Sequence, residues 1–225
     1  MDRFSSYAPF AVAMALAVLA SNVLVQFPVQ AELGGVALAD LLTWGAFTYP
    51  LAFLVTDLAN RRHGPAFARG VVMVGFALAV FSSIVFPPLL YKFGLVPFET
   101  EPGRLMRIAL ASGAAFLLGQ LLDVSVFNRL RRQAWWRAPT VSSITGSVLD
   151  TAVFFSLAFA PAFLFLGPND GFALEAAPLL GVFEVSVPRW VSWAFGDLGV
   201  KLALAVVALI PFRLIAARWS QPAAA

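Results

Sequence analysis

Residues 68–90 read ARGVVMVGFALAVFSSIVFPPLL, and their only charge, Arg69, stands at the start. A helix rising 1.5 Å per residue needs roughly 20 apolar residues to cross a hydrocarbon layer of about 30 Å. This stretch meets that length, and it carries no polar stripe of the kind that turns a helix toward water. Comparable blocks lie at 9–27, 41–59, 105–127, 141–166 and 196–215. Six such blocks in 225 residues leave no soluble shell to surround them. Helices satisfy their own backbone hydrogen bonds in lipid, whereas the blocks lack the short alternation of barrel strands.

Composition agrees. The chain is 60% hydrophobic and 12% charged, about half the charge of an ordinary soluble domain. It has no cysteine, which excludes disulfides, thiol nucleophiles and thiolate metal sites, and its one histidine, His63, lies in a basic loop. Neither a zinc or calcium motif nor a phosphate-binding glycine loop is present, so no cofactor and no metal are expected. The net charge of +3 is dispersed between apolar blocks, which argues against direct nucleic-acid binding. The partners expected are a lipid bilayer and a small molecule; the oligomeric state is open.

The arginines order the spans. Arg61, Arg62 and Arg69 fall between the second and third blocks, and Arg129, Arg131, Arg132 and Arg137 between the fourth and fifth. Arg213 and Arg218 fall near the carboxyl end, while the alternate loops carry Glu32, Glu99, Glu101, Asp170, Glu175 and Glu184. Positive residues stay in the cytoplasm. The expectation is an all-α, polytopic membrane protein: one compact bundle of six transmembrane helices with both termini cytoplasmic. Residues 167–195, charged and apolar by turns, read as an external loop or an interfacial segment.

Polar residues inside the spans are the functional candidates, because lipid makes them costly unless they meet a partner or a cavity. Asp150 falls nine residues into the block that begins at Val141, about 14 Å along a helix. Either it binds a polar ligand or a coupling proton, or it makes a structural ion pair. Asp57 and Asp123 stand near the arginine-rich ends of their helices, where coupling, gating and simple anchoring are all open. Ser143, Gly146, Ser147 and Asp150 share much of one helical face. Gln120 carries both a donor and an acceptor, the pattern a heterocycle presents. Asn22 and Gln26 form an i,i+4 polar pair on the first helix. Thr48 and Tyr49, beside Trp44 and Phe47, can orient and stack a flat ring. Asp197 and Lys201, four apart, make a local pair or a gate.

Several segments carry a likeness in order along most of the chain: Ser21-Asn22-Val23-Leu24-Val25-Gln26-Phe27-Pro28, Thr43-Trp44-Gly45-Ala46-Phe47-Thr48-Tyr49-Pro50 and Phe53-Leu54-Val55-Thr56-Asp57-Leu58-Ala59-Asn60-Arg61. Gly119-Gln120-Leu121-Leu122-Asp123-Val124, Arg137-Ala138-Pro139-Thr140-Val141-Ser142-Ser143, Gly146-Ser147-Val148-Leu149-Asp150-Thr151 and the Asp197-to-Lys201 region continue it. With these the chain resembles the queuosine precursor transporter family of bacterial inner-membrane proteins. The resemblance implies import of 7-deazaguanines such as preQ0 or preQ1 for salvage into transfer RNA queuosine, hence a purine-like substrate and no enzymatic step. It favours Asn22, Gln26, Thr48, Tyr49, Asp57, Gln120, Asp123, Ser143, Asp150 and Lys201 as the principal polar candidates. The expectation is that Asn22, Gln26, Thr48, Tyr49, Gln120, Ser143 and Asp150 contact substrate, and that Asp57, Asp123, Asp197 and Lys201 serve coupling or gating. Two other readings stand beside it: a membrane subunit that binds substrate for a separate ATPase, and a polytopic membrane enzyme using its aspartates as acid and base.

Overall fold

The structure, a computed structural model, describes residues 3–219. It opens with α1 (Arg3–Leu24), then a hairpin of β1 (Glu32–Leu33) and β2 (Val36–Ala37), a short turn of helix and α2 (Gly45–Thr48). α3 (Pro50–His63), α4 (Pro65–Lys92), α5 (Pro102–Leu130) and α6 (Arg137–Phe159) follow. After a 3-10 segment (Pro161–Leu166) come α7 (Gly171–Leu174), a second hairpin of β3 (Ala176–Pro178) and β4 (Ser186–Pro188), α8 (Arg189–Val207) and α9 (Leu209–Trp219). The bulk is an all-α polytopic bundle.

The expected count of six spans is not met. Among the described residues, five stretches are long and apolar enough to cross a membrane: Ser6–Leu24, Pro65–Lys92, Pro102–Leu130, Arg137–Phe159 and the α8–α9 run Arg189–Trp219. The block at 41–59 is the one that fails. Pro50 brings no N–H to extend the helix before it, so the block is divided into α2 and the 14-residue α3. Fourteen residues span about 21 Å, short of the hydrocarbon thickness. α3 also carries Asp57, Asn60, Arg61 and Arg62, and it buries the first two rather than presenting an apolar surface to lipid. The placement of both termini on the cytoplasmic side, read from the arginine-rich loops, requires an even number of crossings, and five spans do not provide it.

Other boundaries follow local chemistry. Gly64, with φ of +88°, ends α3, and Pro65 starts α4 at once, where a missing N–H costs nothing. α6 stops at Phe159 because Ala160 is extended before Pro161. α8 begins at Arg189, seven residues before the expected span, so the segment read as loop ends early. Within that segment, Asp170 caps α7 by accepting from the N–H groups of Phe172 and Ala173.

The core lies where α1, α3, α4 and α5 meet. Met14, Val18, Ala52, Ala59, Val71, Val72, Phe116 and Val124 are buried there. Small residues let helices approach closely where lipid offers no hydrophobic drive for association. A close approach of this kind joins α5 to α6. A Cβ placed on Gly119 would lie 3.0 Å from the Gly146 carbonyl, and one on Gly146 would lie 3.0 Å from the Gly119 carbonyl. This crossing sets Gln120 and Asp123 of α5 beside the polar face of α6.

Candidate functional site

Two buried polar clusters occupy the space that α3 shares with α5, α6 and α8. The first is centred on Asp150, thirteen residues into α6 and so about 20 Å along it. The Tyr49 hydroxyl donates to Asp150 Oδ1 at 2.6 Å, and Lys201 Nζ donates to Asp150 Oδ2 at 2.7 Å. Lys201 also meets Asp197 Oδ2 at 2.5 Å and Thr151 Oγ1 at 3.2 Å. An ammonium has three protons to give, and here each has an acceptor. Thr151 donates in turn to Asp197 Oδ2 at 2.9 Å, and the Tyr49 ring lies 4.9 Å below Lys201 Nζ. The cluster thus ties the start of α3 to α6 and α8. The Asp197–Lys201 spacing read from the sequence is a real ion pair, but it is one side of a larger knot whose centre is Asp150.

The second cluster joins α3, α5 and α6. Thr56 donates to Gln120 Oε1 at 2.7 Å, and Asn60 Nδ2 donates to the Val124 carbonyl at 3.0 Å. Ser142 and Ser143 donate to the two carboxylate oxygens of Asp57 at 3.1 and 3.2 Å. Asp57 is within reach of Asp123. Gln120 Nε2, Asn60 Oδ1 and both carboxylate oxygens of Asp123 are buried without a hydrogen-bond partner, a rare state for native polar atoms.

A narrow cleft runs between the clusters, lined by Pro50, Phe53, Asp57, Ser143, Ser147 and Lys201, with α8–α9 residues closing its far wall. Its volume of about 10 Å³ is near the minimum for one water. A purine-sized molecule enters only after the helices part.

The structure separates the sequence candidates. Tyr49, Gln120, Ser143, Asp150, Asp57, Asp123, Asp197 and Lys201 belong to the two clusters. Asn22 does not: it donates to the Val18 carbonyl and accepts from Ser83 at 2.8 Å, stitching α1 to α4. Thr48 donates back to the Gly45 carbonyl within its own turn, and Gln26 is half-buried past the end of α1. Three further residues emerge only in the fold. Thr56 and Asn60 sit one turn apart on α3, a spacing that signals a shared face. Arg107, 1% exposed, gave no such signal; it donates to the carbonyls of Leu157, Ala160, Gly167 and Pro168 and to Asn169 Oδ1.

Residues 43–216 match the family model described as "Putative vitamin uptake transporter". The chain is 37% identical over 203 residues to the "Queuosine precursor transporter" of Escherichia coli, covering 87% of this chain and 79% of that one. It is 36% identical over 204 residues to the "Probable queuosine precursor transporter" of Haemophilus influenzae, covering 86% and 79%. This chain belongs to the queuosine precursor transporter family. A Bacillus subtilis relative of the same description is 33% identical over 128 residues, covering 52% of this chain and 56% of its own. No solved structure matches significantly.

Membership makes the chain a multi-pass transporter of the bacterial inner membrane, and its five apolar helices suit that membrane, whose spanning proteins are helical. Among the described residues no group of three or more His, Cys, Asp and Glu is placed to hold a metal ion. The ionisable groups of both clusters are buried against one another and the cleft, the arrangement that makes such residues tolerable among membrane helices.

Proposed function

We propose that this chain imports queuosine precursors, 7-deazaguanines such as preQ0 or preQ1, across the cytoplasmic membrane for salvage into transfer RNA queuosine. The observation that carries the reading is the 36–37% identity, over 79% of their length, to transporters described by that substrate. The buried polar faces and the closed cleft support it: the bundle holds hydrogen-bonding groups suited to a flat heterocycle, and it excludes water from them.

The substrate passes unchanged. It enters when α3, α6 and α8 separate along the cleft, meets side chains of the second cluster, Ser143 among them, and leaves when the opposite end opens. The Tyr49–Asp150–Lys201–Asp197 knot acts as the latch. Its ion pairs span α6 and α8, so the helices cannot part there until the charges find other partners. Asn22, Gln26 and Thr48 take a supporting part at the α1–α2 end.

The test is uptake of labelled preQ0, preQ1 and guanine by purified protein in liposomes without ATP, with and without an imposed proton gradient. Accumulation of either precursor unchanged is the expected result. Failure of folded protein to take up both precursors would sink the reading, and uptake appearing only with an added ATPase would assign the chain to the role of a binding subunit.

A further inference from the structure

The four unpartnered polar atoms of the second cluster form a pattern. Thr56 occupies Gln120 Oε1 and leaves Nε2 as a free donor. Asn60 Nδ2 is taken by the Val124 carbonyl, which leaves Oδ1 as a free acceptor. Asp123, one helical turn from Gln120 on the same face of α5, adds two acceptor oxygens that receive no hydrogen bond of ordinary length, with Ser142 and Asp57 as their polar neighbours. All three side chains are wholly buried. By contrast, Asp150 already spends one oxygen on Tyr49 and the other on Lys201.

A set of this kind selects a ligand. A bound cation would need acceptors alone, and the Gln120 amide hydrogens would repel it. A donor beside a carboxylate fits instead an edge with one carbonyl oxygen next to adjacent N–H groups, as in guanine, whose six-membered ring carries O6 and N2–H₂ around the ring N–H. A carboxylate accepts two such N–H groups in parallel, and charge-assisted bonds of that form are the strong ones. The cluster also has a route to the cleft, because Asp57 and Ser143 line it while Asp57 reaches Asp123.

We infer that Asp123 and Gln120 read the 2-amino-4-oxopyrimidine edge of the substrate, Asp123 accepting from the ring N–H and the 2-amino group and Gln120 Nε2 donating to the ring carbonyl. This rests on the transport reading above and names the side chains that give it specificity. Thr56 and Asn60 act as positioning residues. Thr56 turns the Gln120 amide so that its nitrogen faces the ligand, and Asn60 supplies a further acceptor on the opposite helix.

The test is direct binding of 7-deazaguanine and of 7-deazahypoxanthine, which lacks the 2-amino group, to purified protein in lipid nanodiscs. The wild-type chain is expected to hold 7-deazaguanine about ten- to a hundredfold more tightly, the value of a hydrogen bond to a charged group. Asp123→Asn brings that ratio close to one. Gln120→Leu weakens both compounds and leaves the ratio standing, since both carry the carbonyl; this variant and the wild-type pair decide the matter even if Asp123→Asn does not fold. Equal wild-type affinity for the two compounds, or binding of neither by protein that still takes up preQ0 or preQ1, overturns the inference and leaves the transport reading intact, whereas folded wild-type protein that binds neither compound and takes up neither precursor removes the transport reading itself. An Asp123→Asn protein that keeps the ratio but loses proton-driven uptake assigns Asp123 to coupling and overturns the inference too.

Discussion

Lys201 of α8 and Asp150 of α6 lie 51 residues apart in the chain, yet they form a 2.7 Å ion pair whose side chains are 5% and 4% exposed. Breaking such a pair from one side strands the other charge, at a cost of about 3–5 kcal/mol. The two sides are not equal here. Lys201→Met leaves Asp150 and Asp197 facing each other without a cation, while Asp150→Asn leaves Lys201 its bond to Asp197. Lys201→Met is therefore the more damaging variant, and the double variant is less damaging than the sum of the two. Unfolding of the four proteins in detergent measures the difference; equal losses for the two single variants would count against the asymmetric knot.

The α5–α6 crossing offers a steric test. A Cβ on Gly146 would stand 2.7 Å from the Phe53 ring and 3.0 Å from the Gly119 carbonyl. Gly146→Ala is expected to cost about 1–3 kcal/mol, the range for overpacking, and to reduce uptake by moving Gln120 and Asp123 away from α6. Gly199→Ala is the control, because nothing lies within 4 Å of its Cβ position. If both substitutions left the melting temperature unchanged, the close crossing would be refuted.

Arg107 anchors the end of α6 and the residues after Leu166 through five acceptors. A lysine has the charge but not the planar fork. Arg107→Lys should therefore lose most of what Arg107→Met loses, roughly 3 kcal/mol or more for unsatisfied buried acceptors taken together. Limited proteolysis provides the readout: cleavage between residues 160 and 175 should speed up in both variants.

The chain lacks cysteine, so any introduced thiol is unique. Ser147 lines the cleft and is 1% exposed, whereas Leu95 is 58% exposed. Ser147→Cys is expected to react with a thiol reagent at least about tenfold more slowly than Leu95→Cys, since modification must wait for an opening of the helices. Comparable rates would mean that the cleft stands open in solution.

Much of the site was visible in outline before folding. Asp57, Asp123, Asp150, Gln120 and Lys201 are conspicuous because polar residues are scarce in apolar blocks, and nearly all of them gather around α3. Their partners were not visible. Nothing near Asp150 in the chain points to Tyr49 or Lys201, and nothing near Arg107 points to the carbonyls after α6. Asn22 and Thr48 carried the same kind of signal as Gln120, yet one is spent on Ser83 and the other on its own turn. The 41–59 block differs from the expectation because run length counts Pro50 as one more residue rather than a break and treats Asp57 as a tolerable exception.

Membership of the membrane class, the helical character of the bundle and the family were determined by the amino-acid sequence alone. Crossing lipid depends on run length and on backbone hydrogen bonds closed within each segment, and both are local properties of the chain. The five-span architecture, the Asp150–Lys201 knot and the free atoms of Asp123 and Gln120 were decided only by the tertiary structure. Whether a buried polar atom is satisfied depends on which distant helix packs against it, and that packing turns on close approaches such as Gly119 against Gly146, which no local pattern specifies.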